Sequence, residues 1–226
     1  MTGELLAATS GVTVHLNGLS RSSTVEIIVA LTVLAVAPSM LILLTGFTRI
    51  LIVLGLTRNA LGLQSVPPNQ VLAGIALFLS IFMMAPTISK VDHRAVQPYL
   101  AGRIDAVSAL KAAEAPVETW MLRQTRTTDL DMLSSAAHDK VVAPADEPIT
   151  TVIPAFLLSE LRSAFIIGFV IFIPFMIIDL VVSAILMSLG MFMLPPTLIS
   201  LPFKLLLFVL VDGWTLVVHS LLLSFR

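Results

Sequence analysis

Three ionisable side chains lie within long apolar runs of this sequence: Asp179, Lys204 and Asp212. A charged group at the centre of a lipid bilayer costs about 3 kcal/mol or more, so each of the three needs a partner or water nearby. Lys204 and Asp212 would lie about 12 Å apart along one helix, too far to pair with each other. We therefore expect partners from other helices or subunits. Two interpretations stay open, a buried ion pair that fixes helix register and subunit docking, and a proton relay.

Paired aspartates also raise the possibility of catalysis. Two carboxyl groups that share one proton can activate water for peptide hydrolysis. Bulky aliphatic residues flank Asp179, and Val211 and Gly213 flank Asp212, so neither has the Gly-x-Gly-Asp context of intramembrane aspartyl proteases. The sequence shows no Ser-His-Asp arrangement, zinc-protease motif or phosphate-binding glycine loop. We predict that the protein is not an enzyme.

Metal, cofactor and nucleic-acid functions find little support in the composition. The sequence contains no cysteine, which excludes disulfides and thiolate metal sites. The four histidines are far apart and none has the i, i+4 spacing of a helical metal site; they are His15, His93, His138 and His219. The net charge is −1, and no basic cluster in the sequence could follow a phosphate backbone. We expect no metal, no cofactor and no nucleic-acid partner.

The stretch 187–196 reads MSLGMFMLPP, in which a glycine and two prolines enclose large apolar side chains. Methionine is unbranched and polarizable, so a ring of such turns from several subunits could close a pore against ions and still yield to a passing chain. The alternative is a hydrophobic turn that merely dips into the bilayer.

The elements that carry these residues are predicted to be membrane helices. Hydrophobic residues make up 57% of the chain and charged residues 12%, and the mean hydropathy is +1.01. Four apolar runs reach the roughly 20 residues that a helix needs to cross a bilayer: 25–44, 71–88, 164–190 and 197–225. We predict an all-α, multi-helix integral membrane protein. Sister subunits instead of lipid could cover the same apolar surface.

The domain organisation follows from these runs. We predict an N-terminal segment (1–24), a first long helical hairpin (25–89), a small polar helical domain (90–152) and a second long helical hairpin (153–226) with the turn 187–196. Residues 1–20 lack the basic and apolar regions of a cleavable signal peptide. Residues 45–70 hold Arg49 and Arg58 without an acidic residue, so we expect them on the cytoplasmic side and the polar domain on the extracytoplasmic side.

Local patterns give finer expectations. Pro116 should open a second helix in the polar domain, and Thr128 with Asp131 resembles a capping pair. Glu160 and Arg162 are expected to form an interfacial charge pair.

Two long runs carry a resemblance to a known family. Residues 44–82 read LTGFTRILIVLGLTRNALGLQSVPPNQVLAGIALFLSIF, and residues 153–225 contain IPAFLLSELRSAFIIGF, FIPFMIIDLVVSAILMSLGMFMLPP and ISLPFKLLLFVLVDGW. Both resemble the FliP family of the flagellar type III secretion apparatus, and the segments PYLAGRID and MLRQTRTTDLDML are similar to its soluble-side region. The resemblance covers about residues 25–225.

The resemblance implies a gate for unfolded proteins, built from several copies of this subunit with FliQ-like and FliR-like subunits in the bacterial cytoplasmic membrane. It places the multi-pass assembly within the ring of the flagellar basal body, with its helices largely above the bilayer plane. Met191, Phe192 and Met193 would form the pore gasket, with Phe192 where the family usually has methionine. The homologous subunit of a virulence injectisome and an ion-coupled carrier are the alternatives.

Under this interpretation the charged side chains position helices and subunits instead of catalysing a reaction. The residues assigned this role are Asp179, Lys204, Asp212, Arg49, Glu160 and Arg162.

Overall fold

The structure is a computed structural model that describes residues 42–137 and 147–225, with isolated positions between 28 and 40. Residues 40–226 form one compact unit, and all of the helices named below belong to it. The segment 1–24 and most of the apolar run 25–44 lie outside the described residues.

The described ranges contain helices and turns and no strand, which confirms the all-α prediction. The helices in chain order are α1 (Phe47–Ala60), α2 (Asn69–Val91), a π-helical turn (Asp92–Val96), α3 (Gln97–Leu100), α4 (Ala106–Gln124), α5 (Thr127–Ala136), α6 (Ile149–Ser188), α7 (Pro196–Leu210) and α8 (Gly213–Ser224).

Two of the described helices are long and apolar enough to cross a membrane. The first is the continuous 32-residue helix Asn69–Leu100, made of α2, the π turn and α3, and the second is α6 with 40 residues. At a rise of 1.5 Å per residue α6 is about 60 Å long, roughly twice the thickness of a hydrocarbon layer. The predicted boundaries 89/90 and 152/153 fall inside these two helices, and the division into domains stays a prediction.

The last apolar run is not the single spanning helix that its length predicts. It divides into α7 and α8, which are bent by 64° at a break and could form a broken span or a re-entrant loop. Asp212 lies at the break with φ 50° and ψ 56°, the left-handed region that aspartate tolerates better than most residues. The next residue must be glycine, because a Cβ at Gly213 would collide with the ring of Phe208.

The segment 45–70, predicted to be a short connection on the cytoplasmic side, contains the helix α1, and half of the 14 residues of this helix are buried. α1 makes the most extensive helix contact in the described structure, against α6. Its buried residues recur every three or four positions, among them Ile50, Val53 and Leu54. Gly168 of α6 permits the close approach, since a Cβ there would collide with the side chain of Leu56.

In the polar region, the helix start predicted at Pro116 and the cap predicted at Thr128 are both absent. α4 continues through Pro116, which does not open a second helix. Pro116 is buried, as are Trp120 and Met121 further along α4, and Trp120 packs edge-on against Phe156 of α6 with ring centroids 5.3 Å apart. This packing outweighs the single backbone donor that proline removes. Thr128 does not cap α5, which begins one residue earlier.

Candidate functional site

A buried ion pair joins α1 to α6. Arg49 is 2% exposed and Glu160 is 0% exposed. The Nε of Arg49 donates to Oε2 of Glu160 at 2.9 Å, and its second terminal nitrogen donates to Oε1, so the contact is bidentate. The remaining terminal nitrogen donates to the carbonyl of Ser224 at 2.8 Å, and the guanidinium carbon lies 4.2 Å from the centroid of the Phe225 ring. Arg49 thus holds the end of α8 against α1 and α6.

A second polar cluster joins the start of α5 to α6. Ser159 lies inside α6, where its hydroxyl donates to Oδ2 of Asp129 at 2.8 Å and accepts the backbone N–H of Arg126 at 3.0 Å. Arg162 contacts the other oxygen of Asp129 at 3.2 Å. Arg162 and Glu160 therefore have separate partners and do not form the expected charge pair, because residues two apart on a helix point in different directions.

The third cluster ties α7 to α6 and α1. The buried Nζ of Lys204 donates to Oδ2 of Asp179 at 2.6 Å and to the carbonyl of Ala60 at 3.3 Å. Ala60 is the last residue of α1, so the ammonium group also meets the negative end of that helix. The hydroxyl of Ser200, one turn before Lys204, donates to Oδ1 of Asp179.

Asp212 stands apart from the other two charges in the apolar runs. It is exposed at the break between α7 and α8, and its side chain makes no capping hydrogen bond. Asp179 contacts a lysine and not a second carboxylate, so the pair does not have the shared-proton geometry of an aspartyl protease. Among the described residues, no group of three or more His, Asp or Glu could hold a metal.

An apolar turn projects between α6 and α7. Gly190 adopts a φ of +74°, a conformation that favours glycine, and it ends the last turn of α6. The three side chains that follow are exposed by 42% at Met191, 78% at Phe192 and 98% at Met193. Proline then starts α7 at Pro196. Apolar side chains with this exposure are typical of an interaction surface.

The polar region carries two carboxyl groups with shifted pKa values. Partial burial, reinforced by the nearby charge of Glu114, raises the pKa of Glu118. Asp105 precedes α4, and the hydrogen bonds from Ser108 to its carboxylate lower its pKa.

The FliP family model matches residues 30–221, which include the three ion pairs and the apolar turn. The chain belongs to the FliP family.

Three curated FliP proteins are between 46% and 55% identical to this chain over the aligned residues. The flagellar biosynthetic protein FliP of Bacillus subtilis (strain 168) is 55% identical over 205 residues, which cover 90% of this chain and 93% of that protein. The FliP of Pectobacterium carotovorum subsp. carotovorum is 50% identical over 209 residues, covering 92% and 81%. The FliP of Aquifex aeolicus (strain VF5) is 46% identical over 205 residues, covering 89% and 86%.

The sequence patterns do not single out Asp129, Ser200 or Ser224 as members of these clusters. Asp129 lies in a region where charged residues are frequent, so its charge alone does not distinguish it from its neighbours. A weak signal for Ser200 exists, because it lies four residues before Lys204 and therefore on the same helix face.

Proposed function

We propose that this chain is a structural, pore-forming subunit of the flagellar type III protein export gate. In this proposal several copies assemble with FliQ-like and FliR-like subunits inside the basal-body ring at the bacterial cytoplasmic membrane. Unfolded flagellar proteins pass through the channel that the copies surround. Membership of the FliP family and relatives named flagellar biosynthetic proteins support the flagellar system over an injectisome.

The surface of α6 supports an assembled state. Apart from Arg162, its exposed large side chains are apolar: Leu158, Leu161, Phe165, Ile166, Phe169, Val170, Ile173, Met176, Ile177, Leu180, Val181, Ile185 and Met187. This exposed surface continues over most of a helix about twice as long as a bilayer is thick. Such a surface requires lipid, neighbouring subunits or both.

The gasket proposal rests on the apolar turn at the end of a helical hairpin whose two arms are joined by an ion pair. Asp179 precedes the turn on α6 and Lys204 follows it on α7, and their ion pair joins the two arms. The turn beyond this link presents Met191, Phe192 and Met193 without a charged neighbour. In a ring of copies, these side chains would repel hydrated ions while remaining deformable. Phenylalanine at the central position makes one layer of this seal stiffer than a thioether would.

The proposed role needs no covalent chemistry by this chain. Arg49, Glu160, Lys204 and Asp179 use their hydrogen bonds on partners within the same subunit. They are therefore assigned to holding the helices in register.

The gasket is tested by replacing Met191, Phe192 and Met193 with alanine in cells that assemble the gate. We expect increased ion leakage, measured as loss of membrane potential, because alanine leaves an opening at each layer of the seal. The matched control replaces three similarly exposed apolar residues of the polar region with alanine: Val107, Leu110 and Met132. Unchanged conductance in the first variant, or equal leakage in the control, contradicts the gasket role.

The flagellar assignment is tested separately by complementation. Expression of this chain in a bacterium that lacks its own FliP should restore export of flagellar proteins and swimming. Assembly of the gate without export of flagellar substrates would contradict the assignment.

A further inference from the structure

A cleft of ≈ 490 Å³ opens between the end of α4, the start of α5, the interior of α6 and the end of α8. Three arginines line it, Arg49, Arg123 and Arg126, and none of the described residues that line it is a carboxylate. Arg49 is buried and bound to Glu160. The side chains of Arg123 and Arg126 are exposed, and in the part of the chain that the structure describes neither forms an ion pair or a hydrogen bond. The cleft therefore presents two unpaired guanidinium groups, whose planar forks match the oxygens of a carboxylate.

Two glutamates of α4, Glu114 and Glu118, carry the opposite charge. They lie one turn apart on one side of the helix, and both are partly exposed. Among the described residues neither has an ion-pair or hydrogen-bond partner, and Lys111, one turn before Glu114, pairs with neither. Partial burial, and then the charge of Glu114, raise the pKa of Glu118. Within one subunit this acidic pair therefore has no bonded counterion.

The acidic pair and the arginines lie at opposite edges of the exposed face of α4. At 3.6 residues per turn, Glu118 and Arg123 are about 140° apart around the helix axis. The positions between them around the helix, Ala115 and Thr119, are exposed. Across the described ranges the two sets of charges form no ion pair with each other. Complementary charges on two sides of one chain suit a head-to-tail contact between copies.

We propose that the cleft is the docking site for Glu114 and Glu118 of a second copy of this chain. Arg123 and Arg126 of one copy bind the two carboxylates of the next, and repetition of the contact joins the copies head to tail. Such a contact closes into a ring when the rotation between copies permits it. The inference rests on the proposed assembly of several copies, and it names the surfaces that give this assembly a direction. The contact lies in the polar region and needs no lipid.

The absence of cysteine from the sequence makes the contact measurable by cross-linking through introduced thiols. Two differently tagged copies, one with Glu118→Cys and one with Arg126→Cys, are expressed together and treated with a bifunctional thiol reagent as long as an arginine–glutamate pair. We expect a mixed dimer that neither variant forms alone. A chain that carries both substitutions should form a ladder of three or more linked copies. The matched control replaces Arg126→Cys by Arg103→Cys, at an exposed arginine outside the cleft, and should give no mixed dimer.

Charge reversal tests whether ion pairs hold the contact. Arg123→Glu/Arg126→Glu should weaken association between copies by about fivefold or more, since each exposed pair contributes up to about fivefold and repulsion adds to the loss. The measurement is the assembled fraction of detergent-extracted particles at stepped protein concentrations. Co-expression with copies that carry Glu114→Lys/Glu118→Lys should restore assembly, because an acidic cleft then meets a basic surface on the neighbouring copy. A contact within one subunit would not be restored in this way.

The results that overturn the contact differ from those that overturn the gate. An assembled particle without the mixed dimer, or charge reversal that co-expression does not rescue, removes the contact and leaves the gate. An equal loss of assembly in Arg94→Glu/Arg103→Glu, which reverses two exposed arginines outside the cleft, removes it as well. Linked products that stop at the dimer overturn the head-to-tail arrangement. A monomeric unaltered chain overturns both the contact and the proposed gate.

Discussion

Replacement of Glu160 by glutamine tests whether the ion pair between α1 and α6 holds the subunit together. The substitution preserves the shape of the side chain and removes its charge. Arg49 is 2% exposed, so its charge would remain buried beside a neutral amide. Removing one partner of a buried ion pair destabilises a protein by about 3–5 kcal/mol. We expect the lower part of this range, because the amide oxygen of glutamine still accepts one hydrogen bond from Arg49.

The change is measurable as a shift in melting temperature. For a chain of this size, each kcal/mol lowers the melting temperature by about 2–4 °C. Glu160→Gln should therefore melt roughly 6–12 °C below the unaltered protein, if the loss is about 3 kcal/mol. The assay is thermal unfolding of the purified protein in detergent, followed by circular dichroism.

A double variant separates the buried charge from the lost contact. In Arg49→Leu/Glu160→Leu no charge remains buried, so we expect recovery of part of the lost stability relative to Glu160→Gln. Recovery stays incomplete because the contact of Arg49 with Ser224 is also removed. A free energy of unfolding for Glu160→Gln within about 1 kcal/mol of that of the unaltered protein would refute the role of this ion pair. A double variant less stable than Glu160→Gln would refute it as well.

The same unfolding assay checks three further predictions. Lys204→Met should destabilise by about 1–3 kcal/mol, because Asp179 keeps only its hydroxyl partner, and a variant as stable as the unaltered protein would exclude a bracing role. Gly168→Ala should cost about 1–3 kcal/mol by forcing α1 away from α6, whereas Gly74→Ala, where a Cβ meets nothing, should not destabilise. Because the pKa of Glu118 is raised, its ionisation opposes folding; Glu118→Gln should be more stable than the unaltered protein at pH 7, and the difference should vanish below the ordinary value of 4.5.

Hydropathy predicted the helical membrane class because this property depends on local composition. It could not predict that α1 is buried. Residues 45–70 contain arginines and turn-forming residues, and such a segment reads as a connection when its neighbours are unknown. The pairing of Arg49 with Glu160 spans 111 positions in sequence, and only the packing of α1 along α6 brings the two together.

The sequence contains a turn signal at the break between α7 and α8, but the hydropathy of the surrounding residues predicts a continuous helix. Aspartate followed by glycine is a frequent turn signal, and Asp212 and Gly213 form this dipeptide. The apolar residues on both sides favoured one continuous helix across 197–225. The close approach of Phe208 to the backbone of Gly213 makes the turn compact, and this contact exists only in the folded chain.

Two ion pairs along α6 separate the part of the subunit that is held by polar contacts from the apolar turn beyond it. Glu160 and Asp179 lie about 28 Å apart along the helix, and each is bonded to a cation from another helix. Sliding α6 against α1 would break the buried hydrogen bonds between Arg49 and Glu160, at a cost of several kcal/mol, and would also break the link that runs from Asp179 through Lys204 to the carbonyl of Ala60. Beyond Asp179 the contacts of the hairpin are apolar and have no fixed direction, and the turn after Gly190 is exposed. If the subunit lines a gate as we propose, we expect the gate to deform at this turn when a chain passes, while the two bonded levels keep the helices in register.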